Sequence, residues 1–284
     1  MHPSFSENVI QNEKKAVLTE LKMLMNTPEY TLSNEFNKLF YLPEGLQYMN
    51  DASLQIRNIS AVTSHLYQTH QQLYTSTNMV FVVYGNVTLS TITSMFRKLL
   101  IPSTVISIPP QVCYSYTSSF LHVKKESSTV MTIIGFPMRR QYDSSEMVKE
   151  CLKMLLFNEL RMKHKLVYGI TCSVTTNHCS TSLLIQFECI HSVFIKTLRI
   201  LFHTLDQYTR SIDPSILKGI QRKLIYAYST DYEYDEYYTS YLYHPRPLLT
   251  KQQLLNHVKS FTSKQFISFM KEIIQFQQCT LVYQ

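Results

Sequence analysis

The first hundred residues carry four segments with helical periodicity and a single strand, and that imbalance limits what the chain can fold into. Val9, Ala16, Val17, Leu21 and Leu24 recur near helical spacing and predict an amphipathic helix over Glu7–Met25. Further helices are expected over Leu32–Phe40, capped by Ser33 or Thr31 and ended before Pro43 and Gly45, over Ile59–Tyr74, and over Leu89–Leu100. Between the last two, Met79–Tyr84 is short, apolar and β-branched, a buried strand closed by Gly85-Asn86. Amphipathic helices need an apolar surface to cover. One strand does not supply it, so part of a sheet is missing from this end and exposed apolar surface is expected on residues 1–100.

Past a connector over residues 101–118, which holds Pro102, Pro109 and Pro110, the pattern changes. Strands are expected over Ser119–Lys125, Thr129–Phe136, Val167–Thr175, Ser182–Cys189 and Cys279–Tyr283. Helices are expected over Ser144–Lys165, Ser192–Arg210, Pro214–Thr230 and Thr262–Phe276. Five strands with helices to cover them describe an open sheet packed by helices, an α+β fold class. The domain reading is therefore 1–100 as a partial first domain, mainly helical, 101–118 as linker, and 119–284 as a second, complete α+β domain.

Composition closes off other functions. With 284 residues, 45% of them apolar, the chain can bury a large core. Its 5 glycines, at 45, 85, 135, 169 and 219, are too far apart to write a G-x-G-x-x-G or a P-loop. The net charge of +7 comes with only short basic pairs, Lys14-Lys15, Lys124-Lys125 and Arg139-Arg140, so no nucleic acid is expected as partner. The 6 cysteines form no C-x-x-C and read as reduced thiols of a cytoplasmic protein. No apolar run approaches the length of a membrane span, so no membrane association is expected. Eight of the 20 tyrosines fall in Tyr226–Tyr243 among acidic residues, which reads as an exposed amphipathic segment.

Two blocks of sequence point further. The first is Asn12–Glu20 with its glutamates Glu13 and Glu20, followed by Leu39-Phe40-Tyr41-Leu42-Pro43, by Ile56-Arg57-Asn58-Ile59, and by Asn78-Met79-Val80-Phe81-Val82-Val83-Tyr84-Gly85-Asn86-Val87. The second is Leu160-Arg161-Met162-Lys163-His164-Lys165-Leu166-Val167-Tyr168-Gly169-Ile170 at a helix-to-strand junction. In order and separation these resemble the insulinase, pitrilysin and mitochondrial processing peptidase family of inverzincin zinc metallopeptidases. The resemblance runs over nearly the whole chain. It implies the C-terminal half of one insulinase-like domain followed by a complete second domain with an open, mostly antiparallel sheet.

The resemblance also assigns roles. Glu13 and Glu20 lie two helical turns apart on one face, from which a carboxylate can reach a metal. By resemblance Glu20 stands at the third zinc-ligand position and Glu13 at the carboxylate that supports it. Taken without the downstream block, they would read as two solvated glutamates on a Lys-rich helix. Arg161 and Tyr168 match an Arg and a Tyr that in the family reach the substrate backbone, with the phenol donating toward a developing oxyanion. The alternative for them is a helix-terminal cation and a half-buried strand tyrosine.

The chemistry itself is incomplete. An inverzincin takes two zinc ligands and its general base from H-x-x-E-H, and neither that motif nor H-E-x-x-H occurs in the 284 residues. The 10 histidines are dispersed, and His65 and His70 are poorly spaced for one metal. The family's motif precedes the glutamate matching Glu20 by more residues than stand before it here, so an N-terminal truncation is expected. Catalytic zinc usually takes three protein ligands. The chain alone is thus expected to be inactive and to need no cofactor, with zinc held only if a complementing chain supplies two histidines.

Three readings follow. The chain is a fragment of an insulinase-like zinc metalloendopeptidase that binds peptide substrate and lends Glu20 to a site completed by another family chain. Alternatively it is a non-catalytic, peptide-binding or structural partner subunit of an active peptidase, or a decayed gene product.

Overall fold

The computed structural model describes residues 5–42, 51–61, 65–76, 78, 81, 83, 85–98, 115–124, 127–138, 145–177, 180–230 and 249–284. They fall into two compact units, one built of Met1–Asn26 with Asp51–Gln111 and the other of Thr27–Asn50 with Val112–Gln284.

The first unit is helical among its described residues. It contains α1 (Glu7–Met25), α3 (Ala52–Ala61), α4 (Leu66–Leu73) and α5 (Leu89–Phe96). The helix expected over Ile59–Tyr74 is two helices instead. Asp51 starts α3, its carboxylate accepting from the Ser53 and Leu54 amides at 2.9 and 3.1 Å, which is the N-cap chemistry that satisfies a helix's first free N–H groups. Phe5 packs edge-on against Tyr67 and His70, and His70 stacks on Tyr74. Only Leu21 and Ala52 are buried apolar residues among the described residues of this unit. Leu89, at 82% exposed, and Met95 stand in solvent. The strand expected over Met79–Tyr84 lies outside the described residues except for Phe81 and Val83, which are exposed.

The second unit begins with α2 (Pro28–Phe40), and here the sequence reading is corrected. The helix starts four residues earlier than expected, at Pro28. Its cap is Thr27, whose hydroxyl accepts from the Tyr30 amide, not Thr31 or Ser33. Proline at the first helical position loses no hydrogen bond, since that amide has no partner within the helix. Nor is α2 short of a sheet. Leu32, Phe36 and Phe40 are buried against Ile133 and Val282 of the second unit's strands. Gly135 makes that approach possible, because a Cβ there would stand 2.5 Å from Phe36 Cζ and 3.0 Å from Phe40 Cε2.

After α2, β1 (Tyr41–Leu42) pairs antiparallel with β2 (Ser115–Tyr116). Residues 101–114 of the expected connector lie outside the described residues. The main sheet holds β3 (Ser119–His122), β4 (Thr129–Met138), β5 (Val167–Asn177), β6 (Ser180–Ile190) and β7 (Thr280–Tyr283), in the order β3-β7-β4-β6-β5. The pair β3–β7 is parallel and the other three pairs are antiparallel. The α+β class and the mostly antiparallel sheet therefore hold.

One face of the sheet carries the large core. Val130, Ile134, Phe136, Ile185 and Phe187 of β4 and β6 meet α6 (Ser145–Leu156), α7 (Phe194–Tyr208) and α8 (Pro214–Ser229). Two more helices, α9 (Lys251–Ser260) and α10 (Ser263–Ile273), complete that layer. Helix α9 is not among the helices expected from the sequence, although Thr250 and Gln253 form a full capping box at its start, as Thr262 and Gln265 do for α10. Of the Tyr226–Tyr243 run, Tyr226 is exposed and Tyr228 buried, and residues 231–243 lie outside the described residues. No helix among the described residues is long and apolar enough to cross a membrane.

Candidate peptide-binding edge

The predicted helix over Ser144–Lys165 ends its α-helical part at Leu156 and continues as a π-helix over Phe157–Lys163. Such wide turns are rare and are frequently found at functional sites. The break into β5 follows within three residues. His164 donates its amide to the Glu159 carbonyl at 3.1 Å, Lys165 takes the left-handed conformation with φ 53°, and the Leu166 amide returns to the Leu160 carbonyl at 2.9 Å. Lys163 and His164 both bond the Glu159 carboxylate, at 2.9 and 3.1 Å. Burial pushes that carboxyl up, but Lys163 and then His164 outweigh it and hold the group below its usual range.

This junction delivers Arg161 to the start of β5. Its Nη1 donates to the Val167 carbonyl at 3.3 Å, and its guanidinium carbon lies 4.9 Å from the centroid of the Tyr168 ring. The register shows why Tyr168 is presented as it is. Val167 faces Cys189 and Ile170 faces Phe187, so Tyr168 and Gly169 together oppose the single residue Glu188. That is a β-bulge, which re-aims a side chain and recurs near sites. Val167, Ile170 and Cys172 remain in the core, whereas Tyr168 is 84% exposed. Arg161 and Tyr168, which the family resemblance expects to reach a substrate, thus touch each other here. The half-buried tyrosine is ruled out, and the bulge is what spacing alone did not reveal.

Strand β5 ends the sheet order, so among the described residues it is hydrogen-bonded on one side only. Its solvent face is polar, with Thr171 exposed and Ser173 half-buried, beside Gln186 and the exposed Glu188 of β6. At the sheet's other edge, His122 and His191 line one open cleft with Lys124, Ser127, Thr129 and Tyr283. The His122 ring lies flat on Tyr283 at 4.6 Å. His122 ends β3 beside Tyr283 of β7, and His191 follows the end of β6, its amide donating to the Ser128 carbonyl at 3.3 Å.

Glu13 and Glu20 are on α1 and both are exposed. They share a stripe with Val9, Ala16 and Leu24, all exposed, at spacings of three and four residues. Among the described residues no group of three or more His, Cys, Asp or Glu side chains is arranged to hold a metal. Among those described residues, His65 and His70 do not complete such a group with Glu20. Burial pushes the Cys151 and Cys172 thiols up to about 12, where the reactive thiolate is scarce.

Comparisons with known proteins agree with this architecture. Residues 62–224 match the family model of the peptidase M16 inactive domain. A peptidase M16 inactive domain from Pseudomonas fluorescens superposes with a TM-score of 0.81 at 16% identity, over 99% of this chain and 71% of that one. A protease from Helicobacter pylori gives 0.77 at 15% identity, over 98% of this chain and 72% of that one. The periplasmic protease PqqL from Escherichia coli gives 0.76 at 12% identity, and the 98% of this chain that aligns spans only 33% of that chain. No curated protein sequence matches.

Proposed function

Because the chain belongs to the peptidase M16 inactive-domain family, which bears out the insulinase-type resemblance, we propose that it is a peptide-binding chain working beside an active family member. It takes an extended peptide along the open edge of β5. Main-chain hydrogen bonds supply affinity in such strand addition, and neighbouring side chains supply selectivity. Tyr168 donates from its phenol to the peptide backbone, and Arg161 fixes the ring and the first carbonyl of the strand. The observation that carries this reading is the fully presented Tyr168, backed by Arg161 at a bulge on an edge strand.

The 284 residues hold no H-x-x-E-H and so neither a histidine pair nor its general base. We therefore read the chain as unable to hydrolyse peptides alone. The finer proposal is that a second insulinase-type chain supplies the motif and that Glu20, supported by Glu13, contributes a ligand to its zinc. The stripe of exposed apolar residues around these two glutamates favours a protein partner on that helix. A purely structural role beside the active chain is the second reading. Free thiols at Cys151, Cys172, Cys189 and Cys279 support placement in the cytoplasm.

The test is fluorescence anisotropy with a short labelled peptide of extended, Thr- and Val-rich sequence. Saturable binding that weakens in Tyr168→Phe and Arg161→Ala is expected. No binding by the natural sequence, or binding indifferent to both changes, overturns the reading. For the metal, zinc retained by a mixture with an H-x-x-E-H chain is expected to drop when Glu20→Gln is used.

A further inference from the structure

Glu188 lies opposite the bulge, and the residue between it and the free edge of β5 has no side chain. Because Tyr168 and Gly169 share Glu188 as their partner, Glu188 projects on the same solvent face as the Tyr168 ring. A Cβ placed on Gly169 would meet nothing within 4 Å, so the space above it is open. Glu188 is exposed and takes part in no ion pair among the described residues. Arg161 lies over the Tyr168 ring, and the strand residues beside Glu188 on this face, Gln186, Thr171 and Met131, are uncharged.

We infer that Glu188 reads a basic side chain of the bound peptide, an arginine or lysine reaching from the added strand across the notch at Gly169. The inference rests on the reading of β5 as a peptide-binding edge. An added strand runs two strand spacings from β6, about 9.6 Å. A short side chain cannot cross that gap, but a long cationic one laid over a glycine can, with its stem on the peptide plane and its head at the carboxylate. A side chain at position 169 would block the path. Tyr168 then holds the peptide backbone while Glu188 selects what stands beside it, so the substrate class is extended peptides with a basic residue at one fixed position.

The experiment compares two peptides that differ only in one residue, arginine against its neutral isostere citrulline, moved through each position of the Thr- and Val-rich probe. At one position the natural chain is expected to prefer arginine about threefold, the size of an exposed ion pair. Glu188→Gln should bring the two peptides to parity without weakening the citrulline form. Gly169→Leu should do the same by filling the notch. Tyr168→Phe should weaken both peptides equally and keep the preference. A preference undiminished in Glu188→Gln overturns the assignment, and so does equal binding of the two peptides at every position. If neither peptide binds the natural chain, the reading of β5 itself fails, an outcome distinct from the loss of preference alone.

Discussion

The Arg161 guanidinium sits over the Tyr168 ring, 4.9 Å from its centroid, while one of its nitrogens holds the Val167 carbonyl. A single side chain thus ties the end of a π-helix to the first turn of a strand and orients the most exposed large ring of that strand. The two contacts are worth about 1 kcal/mol each in a partly exposed setting.

Arg161→Ala should therefore lower stability by about 1–2 kcal/mol, read as a shift in the urea midpoint with an unchanged slope. Tyr168→Phe should leave stability within about 0.5 kcal/mol, because the ring and its cation remain and only an exposed hydroxyl is lost. If Tyr168→Phe destabilises as much as Arg161→Ala, the phenol has a structural partner and its role in peptide binding falls.

Gly135 and Phe36 make a second test, this time of packing. Gly135→Ala would put a methyl 2.5 Å from Phe36 Cζ, with Phe40 also close, and overpacking of this kind costs about 1–3 kcal/mol. The same change in a Phe36→Leu background should cost less, since the colliding ring is gone. Neighbouring sites of this kind are not additive, and a thermal-melt double-mutant cycle with zero coupling energy would contradict the contact.

Acid should act through the link between α6 and α8. Glu150 accepts from Lys223 Nζ at 2.5 Å. Burial pushes its carboxyl up, but Lys223, with Lys149 and Lys153, outweighs this and leaves it lowered from 4.5. A group with a depressed folded value stabilises in full above its unfolded value and loses that contribution as pH falls through the folded one. The gap in melting temperature between the natural chain and Glu150→Gln should thus be present at neutral pH and close on acidification below the ordinary glutamate range. Salt should narrow it too, since Lys223 is largely exposed. A gap that widens in acid would give the wrong sign.

What was legible in the sequence depended on how local the signal is. Helix α1 matched its predicted bounds, because periodicity and the flanking residues suffice for an amphipathic helix. The strands β4, β5 and β6 were found as apolar runs, slightly short at their ends. The starts of α2 and α3 were missed where the caps, Thr27 and Asp51, lie before the apolar pattern begins. The covering of the sheet by α2 was not legible at all, since it depends on Gly135 almost a hundred residues away making room for Phe36. Arg161 and Tyr168 were legible as two motif residues seven apart, but neither their contact nor the bulge that exposes Tyr168 was, since the bulge is a property of register with β6 and leaves no mark on β5 alone.

On α5, Leu89 is 82% exposed and Met95 61%, and Val87 before the helix is half in solvent. The helix has a capped start, with Thr88 accepting from the Thr91 amide at 3.2 Å, so its geometry is held locally and does not require these side chains to be buried. Apolar side chains left outside on a formed helix bind a hydrophobic dye and favour association. The purified chain should therefore enhance dye fluorescence at neutral pH without denaturant. A Leu89→Gln, Met95→Gln pair should reduce that signal and leave the melting temperature within about 0.5 kcal/mol equivalent, as exposed substitutions do. A family chain that covers α5 should quench the dye in the natural protein. A dye-silent monomer would mean that these residues are covered in solution, and the exposed surface expected from the sheet-poor first hundred residues would not exist.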